Sequence, residues 1–445
     1  MNPFPRCFAL MSVFAALFGG VGGYAQSAGD YAITHAKIFT LAGPPLEDGT
    51  VVIHGGKIAA VGAALEISAG VQVIDAKGLQ VYPGLFDAVT QMGLREVGSV
   101  PATVDTTEVG SFNADLLAAT AVLPSSAHLP VTRAAGITQV IAAPASGGLD
   151  SDGAGSQIAG QASALHMAGW TVDEMLLRRS AAMVVIWPSV ETHSFDFSTF
   201  SVKEKPFTEA KKEYDKQVDQ LAAYFEQARH YAQVLQAASG ASFARDVKLD
   251  ALAPVIRGEL PLLVFADTAR EIRDSAEFCE KQKVKMILAG GTEAWKMKDL
   301  LRSREIPVIL RPTLGAPPED DSPYDRMMTQ PEELRAAGVK VVFASFDNSF
   351  SRRLGQQAAN AVAHGLPHDE ALKGVTLYPA QIFGLDTQLG TVETGKTANL
   401  IVTNGDPLDV TTEVRYLFIK GQLTSTDNKQ KALYEKYLNR PKPAR

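Results

Sequence analysis

The sequence predicts an α/β protein: a (β/α)8 barrel over residues 81–385, joined to a small β-sandwich domain built from both chain ends, 26–80 and 386–430. Three observations predict it. Seven apolar runs of strand length recur through the middle of the chain, helix-length amphipathic stretches separate them in the second half especially, and short strand-like segments with polar turns occupy both ends. A chain of 445 residues, 46% hydrophobic and 20% charged, buries a large core, which excludes general disorder and a many-span membrane protein. Forty-two basic against 49 acidic residues leave a net charge of −7 without a long Lys/Arg block, so nucleic acid is not an expected partner.

Residues 1–25 read as an export signal: one cation by Arg6, a mostly apolar Cys7–Gly23, and small residues at Gly23 and Ala25 ahead of Gln26. That implies a periplasmic or extracellular protein, with no integral membrane domain once the segment is cut; an uncleaved anchor is the alternative. Cleavage leaves Cys279 as the single cysteine of the mature chain, so no internal disulfide is expected, and its helical surroundings read as core.

The small domain begins with strand-like Ala32–Leu41, Gly49–Ile53, Lys57–Val61 and Val71–Asp75, separated by Glu47-Asp48-Gly49, His54-Gly55-Gly56 and Ala76-Lys77-Gly78. Ala398–Thr403 and Arg415–Ile419 repeat the style near the other end. Barrel strands are expected at Val81–Phe86, Gly136–Ala142, Ala182–Trp187, Leu260–Ala266, Val284–Ala289, Ile306–Leu310 and Val339–Ala344, with an eighth within Gln157–His166. Thr268–Lys281, Glu293–Arg304, Pro331–Ala337 and Leu354–His364 read as helices. A longer helix, Thr208–Ala238, carries an apolar stripe through Tyr214, Leu221, Phe225 and Ala228 that serves core packing or a dimer face. Residues 431–445 are left as a C-terminal tail.

Four segments carry a resemblance: Ile53 to Gly62 (IHGGKIAAVG), Tyr82-Pro83-Gly84-Leu85-Phe86-Asp87, Gly290 to Lys296 (GGTEAWK) and Leu389 to Val402 (LGTVETGKTANLIV). The chain resembles the amidohydrolase superfamily, particularly its secreted imidazolonepropionase-like and prolidase-like members, from about Asp30 to Leu423. The resemblance implies hydrolysis of non-peptide or cyclic C–N (amide) bonds at a metal held by an Asp-x-His-x-His signature and later strand-end histidines. Here the first stretch is Asp87-Ala88-Val89-Thr90-Gln91, and the later histidines align with Phe265, Asp267 and Gly290. Valine and phenylalanine ligate nothing, and an amide oxygen ligates weakly, so the standard binuclear zinc site is not expected. A degenerate site with an oxygen-ligated Mg²⁺ or Ca²⁺ at Asp87, Gln91, Asp267 and Asp347 is the metal arrangement left open.

On the same alignment Asp87, Asp267, Glu293 and Asp347 sit at or beyond the carboxyl ends of barrel strands, where barrel pockets form. Asp347, Asp267 and Glu293 are the candidate catalytic residues, as general acid and base; capping of loops and helices is the competing role. Gly147 and Gly148, with Gln157, belong to a Gly/Ser/Asp-rich loop whose backbone N–H groups would approach a ligand carboxylate, unless the loop is an ordinary turn. Glu191 and His193, with Trp187, are candidates for a pocket wall, and Arg311 for a substrate carboxylate or a salt bridge. No Gly-x-Ser-x-Gly elbow, phosphate-binding loop or dinucleotide fingerprint is present. Two readings follow: a hydrolase with a rearranged site, and an inactive homologue that binds a small-molecule ligand or joins a partner subunit, as a homodimer or as a heterodimer with an active relative.

Overall fold

In the computed structural model, residues 29–144, 156–196, 199–237, 245–317 and 321–441 are described. The expected signal segment and the loop holding Gly147 and Gly148 lie outside them. No helix among the described residues is long and apolar enough to cross a membrane.

The barrel wall is an eight-stranded sheet ordered along the chain: Leu85–Thr90, Ile137–Ala142, Ile158–His166, Leu176–Ile186, Leu262–Ala266, Met286–Gly290, Val308–Leu310 and Val341–Phe343. The ladder closes where the Phe346 N–H donates to the Val89 carbonyl at 2.9 Å. Its strands are apolar on both faces because each face meets a different core. Val89, Ile141, Ala162, Val184, Leu263, Phe265, Ile287, Ile309 and Val342 fill the interior. The alternate residues, such as Val140, Met183, Val264, Leu288, Val308 and Phe343, pack outward.

One strand departs from the expected all-parallel wall. Ile158–His166 lies where the eighth strand was anticipated, but it pairs antiparallel with both neighbours, Gln139 opposite His166 and Ala162 opposite Ala182. A reversed strand needs no crossover helix, so the chain turns back within ten residues and starts the next strand early, at Leu176.

Both chain ends form one second sheet. Gln422–Thr424, Val414–Ile419 and Leu400–Thr403 continue through Gln80–Pro83 into Tyr31–Ile38, Leu46–His54 and Lys57–Gly62. Tyr31–Ile38 changes partner along its length, pairing Gln72–Asp75 at its start and Gln80–Val81 at its end. The branching encloses a separate core of Ile33, Ile38, Val51, Ile53, Val81, Leu400 and Phe418. Gly84 joins this sheet to the barrel: a Cβ there would meet Thr138 Oγ1 at 2.0 Å, so the Pro-Gly step admits no side chain. The expected tail instead begins with a helix, Lys429–Leu438, started by Asn428 and burying no residue.

The 31-residue helix Phe207–Ala237 packs its stripe onto the barrel, burying Tyr214, Leu221, Phe225 and Ala228. Phe225 meets Phe278 of helix Ala269–Gln282 edge to face at 5.2 Å. Cys279 lies in that same buried face, and burial pushes its thiol up to about 12.

Candidate functional site

Most candidate residues lie at or beyond the carboxyl ends of the barrel strands, whereas Asp87 lies within its strand and Gln157 precedes the reversed strand Ile158–His166; local hydrogen bonding decides what each can do. Asp87, on the first strand, is fully buried. Its Oδ1 accepts the Ser345 N–H at 2.9 Å, and its Oδ2 accepts the hydroxyls of Ser345 at 2.5 Å and Ser351 at 2.6 Å. Burial raises its pKa to about 6 against these lowering contacts. Asp87 thus ties the first strand to the loop after the last.

Asp347 lies in that loop, with its Oδ1 accepting the backbone N–H groups of Ser349 at 2.6 Å and Phe350 at 2.8 Å. Its carboxylate works as a turn cap. Glu293 likewise accepts the Ala269 N–H at 2.7 Å, at the start of helix Ala269–Gln282, and the Lys296 ammonium at 2.5 Å. Gln91 is buried and accepts from Arg95 at 3.3 Å.

Asp267 follows the fifth strand and is held by Arg311, whose Nη2 donates to Oδ2 at 2.6 Å, and by the Thr292 hydroxyl at 2.5 Å. Burial works to raise its pKa, but the Arg311 hydrogen bond and charge prevail and hold the carboxyl below its usual range. Gly290 makes room for the pair. Its φ is +107°, and a Cβ there would meet Asp267 Oδ1 at 2.8 Å. The Arg311 guanidinium also covers the Phe346 ring at 5.1 Å, and Phe346 meets Phe265 edge to face at 6.0 Å.

Beside this pair opens a cavity of about 340 Å³, between the strand ends and the first turns of helix Phe207–Ala237. Of the candidates, the structure brings Gln157, Glu191, Asp267 and Arg311 to its wall, together with Trp187. Asp87, Gln91, Glu293, Asp347 and His193 are not on that wall. His193 stands exposed on the hairpin His193–Glu204, its Nδ1 2.9 Å from the Thr192 hydroxyl. Arg311 takes the salt-bridge alternative, within this fold, rather than standing open to a carboxylate. The wall also holds Lys205, Glu213, Tyr214 and Glu271, which sequence reading missed. Tyr214 was visible only as a packing residue, whereas the Thr268-x-x-Glu271 capping box was a legible signal for Glu271.

A divalent metal fits these residues poorly. At three of the strand ends stand Val89, Phe265 and Gly290, none with a donor side chain. An imidazole at position 290 would require a positive-φ backbone and would collide with Asp267. Among the described residues no group of three or more His, Cys, Asp or Glu side chains is placed to hold an ion. The oxygen set Asp87, Gln91, Asp267 and Asp347 does not assemble into one, because each is already engaged by serine, arginine or backbone N–H donors.

An eight-stranded barrel fused to a sheet from both chain ends is the architecture of amidohydrolases. Residues 266–425 match the Amidohydrolase family, and this match together with the barrel supports placement in the amidohydrolase superfamily. Among solved structures, the chain is similar to an amidohydrolase from Thermotoga maritima MSB8, with a TM-score of 0.76 and 22% identity over 89% of this chain and 99% of that one. A prolidase complexed with N-methylphosphonate-L-proline shares 18% identity over 89% and 99% of the two chains, with a TM-score of 0.54. A zinc-bound adenosine deaminase from Xanthomonas campestris shares 16% over 92% and 97%, with a TM-score of 0.52. At these identities the likeness is one of fold. No curated protein matches the sequence.

Proposed function

We propose that this chain is a hydrolase-type protein of the amidohydrolase superfamily whose metal site is degenerate and whose barrel-mouth cavity binds a small molecule of the amide or cyclic-amide class. The family match over residues 266–425 supports the general hydrolase assignment. The finer reading is carried by one observation: Val89, Phe265 and Gly290 stand at the strand ends where the resemblance calls for imidazoles. Inductively coupled plasma mass spectrometry on the dialysed protein tests it, beside Asp347→Ala as a control. Metal well below one ion per chain is the expected result; one or two tightly held ions would overturn it.

A second reading, retained C–N bond hydrolysis without the standard metal site, is favoured by Asp267 alone. It lies on the cavity wall as a carboxylate, the state a general base requires. Asp267→Asn decides between the two in a screen of amide and cyclic-amide substrates. Turnover lost in the variant supports this base, whereas absence of turnover in the wild type leaves ligand binding or a partner-subunit role. The reading carries export with it, and a mature chain starting at Gln26 is the expected product.

A further inference from the structure

Every residue from Lys429 to Pro441 is exposed, so helix Lys429–Leu438 stands clear of the described body of the protein. Its ends are defined locally. Asn428 Oδ1 accepts the N–H groups of Gln430 and Lys431 at 3.0 Å each, and Pro441 follows the last turn. At ten residues the helix is shorter than the about 12–15 that isolated helices need in water, where most helical stability comes from packing one face. A helix of this length calls for a surface to lie against.

Its residues are sorted by face. At about 100° per residue, Leu433, Tyr434, Tyr437 and Leu438 fall within an arc of about 140°, with Gln430 the one polar residue inside it. Tyr434, Tyr437 and Leu438 are 67%, 59% and 66% exposed. Lys431 borders this arc on one side, and Lys429, Lys436 and, just past the end, Arg440 border the other. Glu435, the single acid, lies beyond Lys431 and away from the arc. Lys429 to Arg440 thus carries +3 in a chain of −7, which leaves −10 on the remainder.

This pattern selects an anionic lipid surface over a second copy of the chain. The four apolar side chains present roughly 400 Å², about half of what each partner gives to a standard protein interface. Lipid suits them better. Tyrosine places an apolar ring below the headgroups and its hydroxyl among them, while lysine and arginine stems reach sideways to phosphate. Ten residues rise about 15 Å, half of a bilayer's hydrocarbon core, so the helix lies along such a surface and does not cross it. The acidic remainder is repelled by the same surface, which leaves the basic helix as the contact.

We infer that helix Lys429–Leu438 is a membrane-surface anchor, laying Leu433, Tyr434, Tyr437 and Leu438 into the headgroup region of an anionic bilayer with Lys429, Lys431, Lys436 and Arg440 on lipid phosphates. This goes beyond the hydrolase reading and does not depend on it, since the helix follows the end sheet and contributes nothing to the barrel-mouth cavity.

Co-sedimentation of the full mature protein, free of the apolar segment 7–23, with vesicles of two compositions tests it: phosphatidylcholine alone, and phosphatidylcholine with about 30% phosphatidylglycerol. Binding to the anionic vesicles should be about tenfold or more tighter than to the neutral ones, and should weaken several-fold in about 0.5 M salt. Tyr437→Ser with Leu438→Ser, and separately Lys436→Gln with Arg440→Gln, should each cost about tenfold on anionic vesicles. Because all four side chains are exposed, both double variants should keep the wild-type urea midpoint. Wild-type binding by either double variant overturns the inference. Failure to bind anionic vesicles, or equal binding to both compositions, overturns it on the unsubstituted protein alone. A lipid-free dimer that Tyr437→Ser with Leu438→Ser dissociates, read by light scattering, also overturns it, in favour of a second copy.

Discussion

Arg311 and Asp267 should leave a pH signature of their own. The pair holds Asp267 ionised below its ordinary pKa, so the stability it contributes is present above about pH 4 and is lost as pH falls through the folded value. Arg311→Met should therefore cost more stability at pH 7 than near pH 3, read as urea midpoints; an equal cost at both would remove the ion pair from the account. Asp347 serves two backbone N–H groups, and Asp347→Ala should cost about 1 kcal/mol, as loss of a cap does. Asp87→Ala should cost more, about 3 kcal/mol, because it strands three buried donors. Urea unfolding ranks the two, and a reversed order would contradict these assignments. The sequence placed all three carboxylates near the strand ends, but their work was illegible there. Arg311 lies 44 residues from Asp267, and Ser345 lies 258 from Asp87, so nothing local announces either contact.

Helix Ala269–Gln282 shows how much an element can declare for itself. Its start is written in Thr268 and Glu271, which exchange backbone hydrogen bonds in a complete capping box. Its end falls at Lys283, held at φ +57° in the left-handed region that favours glycine. Lys283→Gly should accordingly raise stability by about 0.5–1 kcal/mol in thermal melts, and a loss would show that the lysine makes a compensating contact. The reversed strand Ile158–His166 was not declared in this way. A buried strand is apolar on both faces in either direction, so its run of residues located the strand without its polarity. The long helix was likewise legible as amphipathic, yet its stripe did not tell which surface it would cover.

Barrel and end sheet meet through a buried polar joint. Asn399 Nδ2 lies 2.9 Å from Gln139 Oε1 and 3.0 Å from His166 Nδ1, while its Oδ1 accepts the Lys420 N–H at 2.8 Å. A donating amide makes His166 Nδ1 the acceptor, and so the imidazole neutral. Burial, then the nearby Lys420 charge, push its pKa down to about 3. An unfolded histidine titrates near 6.5, so the unfolded chain takes up the proton first, and stability present above that value declines as pH drops toward 3, by about 1.4 kcal/mol per unit at most. His166→Gln should flatten this slope; Asp87, whose raised pKa acts in the opposite direction between about 4 and 6, contributes equally to both proteins and cancels. An unchanged slope would place the titrating group elsewhere.

By itself the sequence determined the fold class, the pairing of both chain ends into one domain, most strand positions and the absence of donors at Val89, Phe265 and Gly290, because periodicity, turn residues and side-chain chemistry are local properties. It misplaced Val81–Pro83, expected to open the first barrel strand but paired in the end sheet, and missed the hairpin His193–Glu204. Tertiary structure alone decided which carboxylates are engaged, and that the third strand runs backward. Each of these depends on partners brought together from distant parts of the chain, and the free energy of a buried charge or amide is set by those partners rather than by its neighbours in sequence.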